Sequence, residues 1–195
     1  MKTKTPQATF QLKVTLMGSR PPIWRRILVP NTITLGKLHQ VLQVVMGWED
    51  EHLHQFVQGR ELYGVPDKEE VFFGMSATDE NKTILSSLLS KEKEWLTYEY
   101  DFGDGWEHKL ILEKKLPFDD SIQLPHCLKG KRASPPEDCG GMWGYMDLIG
   151  IMSDKSSPEY AERAEWLEEN FGINDFNPEF FDLEEVNTQL HRLRI

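Results

Sequence analysis

Residues 95–115 read WLTYEYDFGDGWEHKLILEKK, and this stretch decides the fold because it predicts a β-hairpin. Apolar and polar side chains alternate before the glycine-rich centre and again after it, which is the two-residue period of strands with one buried face. A three-residue turn at positions 103–105 keeps that face apolar, since it places Phe102 opposite Trp106. The same register predicts that Tyr100 and His108 are cross-strand neighbours.

The segments before the hairpin predict more strands and a helix. Alternation over residues 10–16 and again over 23–29 indicates an antiparallel pair of strands. From Thr34 the apolar residues follow the helical period up to position 46, with Thr34 as the N-cap and Gly47 as the stop. Residues 53–57 predict a further strand. We expect the helix to cover the sheet that these strands form.

The segments after the hairpin predict helices. A long loop rich in proline and glycine precedes a short helix around residues 145–152. The next helix ends at Gly172, and either residues 177–178 or Asp182, which has Glu185 three positions later, begins the last one. Strands in the first part and helices at the end predict a single α+β domain, with an antiparallel or mixed sheet covered by helices.

The composition is that of an acidic globular chain of 195 residues. Its 39% hydrophobic and 28% charged residues exclude the disordered, fibrous and membrane-spanning classes. Its 22 basic against 32 acidic residues exclude a wholly basic nucleic-acid binder. Two cysteines are too few for a disulfide scaffold, and the start lacks an apolar leader segment. We therefore expect a soluble, unexported, cytoplasmic protein without a membrane partner.

Four segments of the chain carry a family resemblance. In order they are LKVTLMGSRPPIWRRILVP (12–30), TLGKLHQVLQVVMGWEDEHLHQF (34–56), YDFGDGWEH (100–108) and CLKGKRASPPEDCGGMWGY (127–145). Together they resemble the plasmid pRiA4b ORF-three-like family, also called the insertion-element passenger TnpR-like domain. The resemblance implies one domain over residues 1–195, with the motifs in about 10–145 and an acidic helical tail over 153–195. It also implies an accessory role linked to plasmids or mobile elements, and it carries over no catalytic residues.

Histidines and cysteines offer a possible metal site. His52 and His54 are two positions apart, so on a strand both point to one face, and Cys127 with Cys139 would complete a Cys₂His₂ zinc site. The two cysteines are twelve positions apart and lack the short spacing of zinc motifs, which favours buried thiols instead. The sequence therefore predicts no cofactor, with zinc or another divalent metal as the alternative.

The same residue types support a metal-dependent hydrolase if distant segments converge on one cleft. The candidate ligands are His52, His54, Asp101, Asp104, His108, Cys127, Asp138 and Cys139. This hypothesis predicts that at least three of them lie within coordination reach of one point. The alternatives are structural, because Asp104 suits a turn between glycines and His108, like His39, suits a hydrogen-bonded core position. The chain has no complete catalytic motif, so the sequence leaves enzymatic activity open.

Aromatic and basic residues predict a binding surface, which is the leading functional hypothesis. Tryptophan rings beside cationic side chains suit single-stranded nucleic acid, and they equally suit a protein partner. The predicted contacts are Trp24, Arg25, Arg26, Trp48, Trp106, Lys129, Lys131, Arg132 and Trp143. The structural alternative buries Trp24 and Ile27 while Arg25 and Arg26 neutralise acidic helices. The sequence thus favours a non-enzymatic interaction module whose partner is a protein or a nucleic acid.

Overall fold

The computed structural model describes residues 7–66 and 77–195, in which eight strands form one sheet. The strands are β1 (Ala8–Leu16), β2 (Trp24–Pro30), β3 (His54–Gln58), β4 (Glu61–Gly64), β5 (Thr78–Asp79), β6 (Trp95–Tyr100), β7 (Trp106–Pro117) and β8 (His126–Lys131). They lie in the order β5-β4-β3-β6-β7-β1-β2-β8, and every neighbouring pair is antiparallel except β4 and β5. The sheet is therefore mixed, as one of the two predicted forms.

The described residues also form helices, and several of these begin or end at the predicted residues. The described residues form α1 (Leu35–Met46), α2 (Leu85–Leu88), α3 (Gly141–Ser153), α4 (Tyr160–Phe171) and α5 (Leu183–Leu190). Thr34 caps α1 by accepting a hydrogen bond from the Lys37 N–H, and Gly47 ends it with a φ of 75°. Asp182 caps α5 by accepting from the Glu185 N–H at 2.9 Å. The α+β class is confirmed, and Asp182 is the start of the last helix.

The core lies between α1 and one face of the sheet. Alternate residues of the strands and the inward side of α1 are less than 3% exposed, among them Leu12, Val14, Leu35, Leu38, Leu42, Leu96, Tyr98, Tyr100, Leu110 and Leu112. Burial of this apolar surface drives α1 onto the sheet. None of the described helices has the length and apolar character that crossing a membrane requires.

The hairpin register differs from the predicted one by two residues. Tyr100 pairs with Trp106, and Tyr98 pairs with His108, so the predicted pairing of Tyr100 with His108 is wrong. The loop spans residues 101–105 instead of three positions. Because the shift is even, all four side chains stay on the same buried face.

Asp101 is the physical reason for the wider loop. It adopts a φ of 55°, in the left-handed region that Asp tolerates better than most residues. Its Oδ1 accepts hydrogen bonds from the N–H groups of Gly103 at 2.9 Å and Asp104 at 3.2 Å. Phe102, which the prediction placed in the ladder, is instead 55% exposed in the loop.

Strand β2 buries Ile27 as expected, but it buries Arg25 in place of Trp24. Arg25 is 2% exposed, and its guanidinium donates to the carbonyls of Val45 at 2.8 Å and of Lys131 at 3.0 Å. It also donates to the Ser134 hydroxyl at 2.9 Å and stacks over the Phe181 ring. Burial lowers the pKa of Arg25 to about 10, which leaves it charged at neutral pH. The interpretation that Arg25 stays outside to neutralise acidic helices is wrong, because these acceptors hold it in the core.

The outer edge of β8 is occupied by one side chain of α5. The Asn187 Oδ1 accepts from the Cys127 N–H at 2.7 Å, and the Asn187 Nδ2 donates to the Cys127 carbonyl at 3.0 Å. Because β8 is the last strand at this end of the sheet, the amide lies where a peptide of a further strand would pair.

Candidate functional site

An open cleft of about 1090 Å³ lies beside α1 and the beginning of β3. Its walls come from α1, the segment 50–55, the end of β4 and residues 80–81, with Phe102 of the hairpin loop at one side. Histidines and carboxylates concentrate here, namely His39, Asp50, His52, His54 and Glu80. No lysine or arginine is found among the described residues that line it. The wall is therefore acidic.

Three of the eight predicted ligands converge at His52. The Nε2 of His52 lies 3.4 Å from Asp138 Oδ1 and 3.9 Å from Asp101 Oδ2, and the ligand atoms of the three residues all lie within 4.8 Å of one another. The His52 Nε2 is buried and makes no hydrogen bond. The residues come from three distant segments, as the enzyme hypothesis requires. This trio is called the His52 group below.

Tyr100 holds two of these segments together. Its hydroxyl accepts from the backbone N–H groups of Glu51 at 3.1 Å and His52 at 3.4 Å, and it donates to the carboxylate of Glu137. The second oxygen of Glu137 accepts from the Glu49 N–H at 3.0 Å. Burial raises the pKa of Tyr100, so the phenol stays protonated and keeps its donor. The Tyr100 hydroxyl thereby fixes the backbone beside both His52 and Asp138.

Two glycines at the start of α3 allow close packing, Gly141 against the hairpin and Gly144 against the loop before the helix. A Cβ on Gly141 would lie 2.6 Å from the Asp104 carbonyl oxygen, and a Cβ on Gly144 would lie 1.8 Å from that of Cys139. The Asp104 carboxylate accepts from the Gly140 N–H at 3.2 Å. This packing begins α3 at Gly141, four positions before the predicted start, and it uses Asp104 as a brace.

A second group of ligating side chains lines the cleft, next to His52 of the first group. The His39 Nε2 lies 2.7 Å from Asp50 Oδ1, and the His54 Nε2 lies 2.9 Å from Glu80 Oε2. The rings of His39 and His54 are stacked 3.5 Å apart with an angle of 3° between their planes. Burial and the neighbouring His54 lower the pKa of His39. The ligand atoms of His39, Asp50 and His54 lie within 4.8 Å of one another, and this trio is called the His39 group.

Sequence reasoning missed His39, Asp50 and Glu80 as parts of a site. The helical period places His39 on the buried side of α1, which the structure confirms, but it does not show that β3 brings His54 against the same ring. The only signal in the sequence is that Asp50 follows the stop at Gly47 within a few positions. A short turn there brings the carboxylate back alongside α1 to His39.

The remaining metal candidates do not join either group. His108 is 1% exposed, and burial lowers its pKa to about 4. Both thiols are free, and burial raises the pKa of Cys127 to about 11 and of Cys139 to about 12. Neither cysteine belongs to a ligand group in the described part of the chain, so the Cys₂His₂ arrangement is not formed there. Asp104 is the brace described above.

Burial removes four of the nine predicted binding residues from the surface. Arg25, Trp48, Trp106 and Arg132 are at most 6% exposed. The indole of Trp48 donates to the Pro135 carbonyl at 2.9 Å, and its ring stacks on Tyr100. Arg132 forms an ion pair with Glu179 at 2.7 Å. These groups hold the fold, and an external phosphate cannot reach them.

The other five predicted contacts stay accessible to different degrees. Arg26 is paired with Glu113 through two hydrogen bonds of 2.6 and 2.9 Å. Trp24 lies beside Arg26 on the same face of the sheet. Lys129 and Lys131 are exposed on β8, and Trp143 on α3 is 89% exposed. The predicted surface is therefore reduced to separate groups.

Comparisons with known proteins find similarity over most of the chain. The family model of the plasmid pRiA4b ORF-3-like protein matches residues 8–185. A protein of Sinorhizobium fredii, named uncharacterized protein y4hQ, is 35% identical over 181 residues, which are 92% of this chain and 89% of that protein. The crystal structure of a protein of unknown function, MM3350 from Methanosarcina mazei Go1, matches with a TM-score of 0.80 and 35% identity. That match covers 93% of this chain and 98% of the other.

Proposed function

Because the chain belongs to the plasmid pRiA4b ORF-3-like family, and neither relative above has a named activity, we propose its function from the cleft itself. The proposal is a metal-dependent hydrolase in which His52, Asp101 and Asp138 hold one divalent metal ion.

The proposal rests on the surroundings of the His52 Nε2. It is buried without a hydrogen bond, although carboxylate oxygens of Asp101 and Asp138 lie 3.9 and 3.4 Å away. A buried polar atom without a partner is costly, and a cation held by these three residues would satisfy it. Three protein ligands with one side open to solvent are typical of catalytic metal sites, which keep a position for water or substrate. The Asp138 side chain, 70% exposed, lies at that open side.

A divalent metal bound here would supply a Lewis acid and lower the pKa of a coordinated water. The chain's own residues would orient it, since Tyr100 and Glu137 fix the backbone on which two of the ligands stand. The described lining of the cleft contains no lysine or arginine. An anionic substrate would therefore find positive charge there only from a bound cation. We expect activity to depend completely on metal.

The test is metal content followed by activity. Protein purified without added metal is measured by elemental analysis, and hydrolysis is measured with p-nitrophenyl phosphate, bis-p-nitrophenyl phosphate and p-nitrophenyl acetate. Each substrate is used with Zn²⁺ or Mn²⁺ and with a chelator. We expect bound metal, hydrolysis of at least one ester, and a rate lowered at least a hundredfold by His52→Gln or Asp101→Asn. Asp120→Asn, an exposed carboxylate outside the cleft, is the matched control.

Two results would overturn this function. One is a wild-type protein that neither retains nor binds these metals. The other is a hydrolysis rate that His52→Gln and Asp101→Asn leave unchanged while both variants remain folded.

A second candidate function is the interaction module, in the version that binds a protein. Trp143 is 89% exposed, and Met146, one turn later on α3, is 43% exposed. An exposed tryptophan is the residue type that most often anchors a protein interface. For the nucleic-acid version, Arg25 and Arg132 are buried in the core, and the remaining predicted cations are Lys129 and Lys131 on β8 and Arg26, which is paired with Glu113.

This candidate is tested by capture of partners with wild-type protein and with Trp143→Ala. A protein retained by the first and lost with the second supports the module. Retention of DNA or RNA at low salt, abolished by Lys129→Glu with Lys131→Glu, would favour the nucleic-acid version instead. Equal capture by both forms argues against an interface at Trp143.

A further inference from the structure

We propose that His39, Asp50 and His54 form a second divalent-metal site, separate from the His52 group and selective for a transition metal. The proposal does not depend on hydrolytic activity, because it concerns a different set of ligands. It rests on the convergence of these side chains, on the charge of their surroundings and on the residues that orient them.

The first step is geometric. The three ligands come from α1, from the turn after it and from the first residue of β3, and their ligand atoms lie within 4.8 Å of one another. The His39 Nδ1 already contacts the Tyr98 hydroxyl at 2.7 Å, so the Nε2 is the nitrogen that faces Asp50 and the cleft. One imidazole and one carboxylate are in direct contact. The second imidazole is stacked parallel to the first, so the His54 ring must turn out of the stack for both nitrogens to point at one ion.

The second step concerns charge. Two carboxylates face the stacked imidazoles, Asp50 against His39 at 2.7 Å and Glu80 against His54 at 2.9 Å. The Glu80 side chain is 4% exposed and Asp50 adds a second negative charge. No lysine or arginine is among the described residues that line this cleft. A divalent cation bound here would balance the charge of both carboxylates.

The third step is the set of residues behind the ligands. Histidine ligands in metal sites almost always bond through their second nitrogen to a carboxylate or another acceptor. The Tyr98 hydroxyl can accept from the His39 Nδ1–H, and Glu80 contacts His54. Gln43 connects the arrangement, because its amide donates to the Tyr98 hydroxyl at 2.9 Å and accepts from the Asp50 N–H at 3.0 Å. Gln43, Tyr98 and Glu80 are therefore positioning residues.

The fourth step is the identity of the metal. Two imidazoles with one carboxylate are the ligands of first-row transition metals, whereas Mg²⁺ and Ca²⁺ prefer oxygen ligands. The His52 group has one imidazole and two carboxylates. We therefore expect the His39 group to bind Zn²⁺ or Co²⁺ and to be unaffected by Mg²⁺.

The experiment counts metal sites on the full chain. Titration of chelator-treated wild-type protein with Zn²⁺ or Co²⁺, followed by calorimetry and by Co²⁺ absorption, should give about two ions per chain. His39→Gln should remove one ion and leave the other, and His52→Gln should remove the other. Glu80→Gln should weaken the first site at least tenfold without removing it, as expected of a positioning residue. His191→Gln, outside the cleft, is the control.

Each result decides one question. Retention of one ion by His39→Gln shows that this variant is folded, so the loss of the other belongs to the His39 group. Binding that persists in His52→Gln supports the second site even if the hydrolase is disproved. A stoichiometry that His39→Gln leaves unchanged overturns the second site, and the two pairs His39–Asp50 and His54–Glu80 are then hydrogen bonds only. Binding of Mg²⁺ at the His39 group with the same affinity as Zn²⁺ also overturns the proposal.

Discussion

The hydroxyl of Tyr100 donates a hydrogen bond to the carboxylate of Glu137 and so joins the hairpin to the loop before α3. The same oxygen accepts from the backbone beside His52. One phenol thus fixes two segments that carry ligands of the His52 group. Tyr98, two positions earlier on the same face, contacts His39 in the other group.

Each of these two tyrosines should affect metal binding at only one of the two groups. Tyr100→Phe should weaken metal binding at the His52 group about tenfold or more and leave the His39 group unchanged. Tyr98→Phe should do the reverse, because its hydroxyl contacts the His39 ring. Calorimetric titration of each variant with Co²⁺ measures both sites. Equal losses at both sites in either variant would contradict the assignment.

The glycine at position 144 predicts a local packing requirement. A Cβ there would lie 1.8 Å from the Cys139 carbonyl oxygen, so Gly144→Ala must displace the loop that carries Asp138. We expect the free energy of unfolding to fall by about 2 kcal/mol or more. Gly150→Ala on the same helix meets nothing within 4 Å and should stabilise by up to about 1 kcal/mol. Urea denaturation compares the two, and similar effects would disprove the close approach.

The buried histidine at position 108 predicts a pH dependence of stability. Burial lowers its pKa from 6.5 to about 4, so below pH 6.5 the unfolded chain binds a proton that the folded chain does not. The free energy of unfolding should therefore fall as the pH drops from 6.5 to 4, by about 3 kcal/mol from this group. His108→Phe should remove that part of the slope. Parallel profiles for wild type and variant, measured by urea denaturation across this range, would show that His108 does not contribute.

The two arginines of β2 predict unequal costs of substitution. Arg25→Met leaves the carbonyls of Val45 and Lys131 without their donors in the core and should destabilise by about 3 kcal/mol or more. Arg26→Met removes a partly exposed pair with Glu113 and should cost less than about 1 kcal/mol. Thermal and urea unfolding measure both. A larger loss of stability in Arg26→Met than in Arg25→Met would contradict the burial described for this strand.

The sequence predicts which face of a strand or helix is buried better than it predicts which residues pair with each other. The period of residues 95–115 correctly places Tyr98, Tyr100, Trp106 and His108 on one buried side. It cannot give the register, because Asp101 bonds its own loop through its side chain, and a period contains no information on such bonds.

Arg25 shows a different limit of the same reasoning. Hydropathy favours tryptophan over arginine inside, yet the Val45 carbonyl in the last turn of α1 needs a donor, and the guanidinium supplies it. The His39 group shows a third limit. Its members meet only because α1 packs against β3, and that contact depends on the whole sheet order.

The amide of Asn187 has a consequence for how copies of the chain can meet. An open strand edge is a template on which another molecule can add a strand, and such addition leads to aggregation or to shared sheets. On β8 the N–H and C=O of Cys127 are both bonded to Asn187, so a continuous ladder cannot form along this edge. The last helix therefore opposes self-association by strand addition at β8.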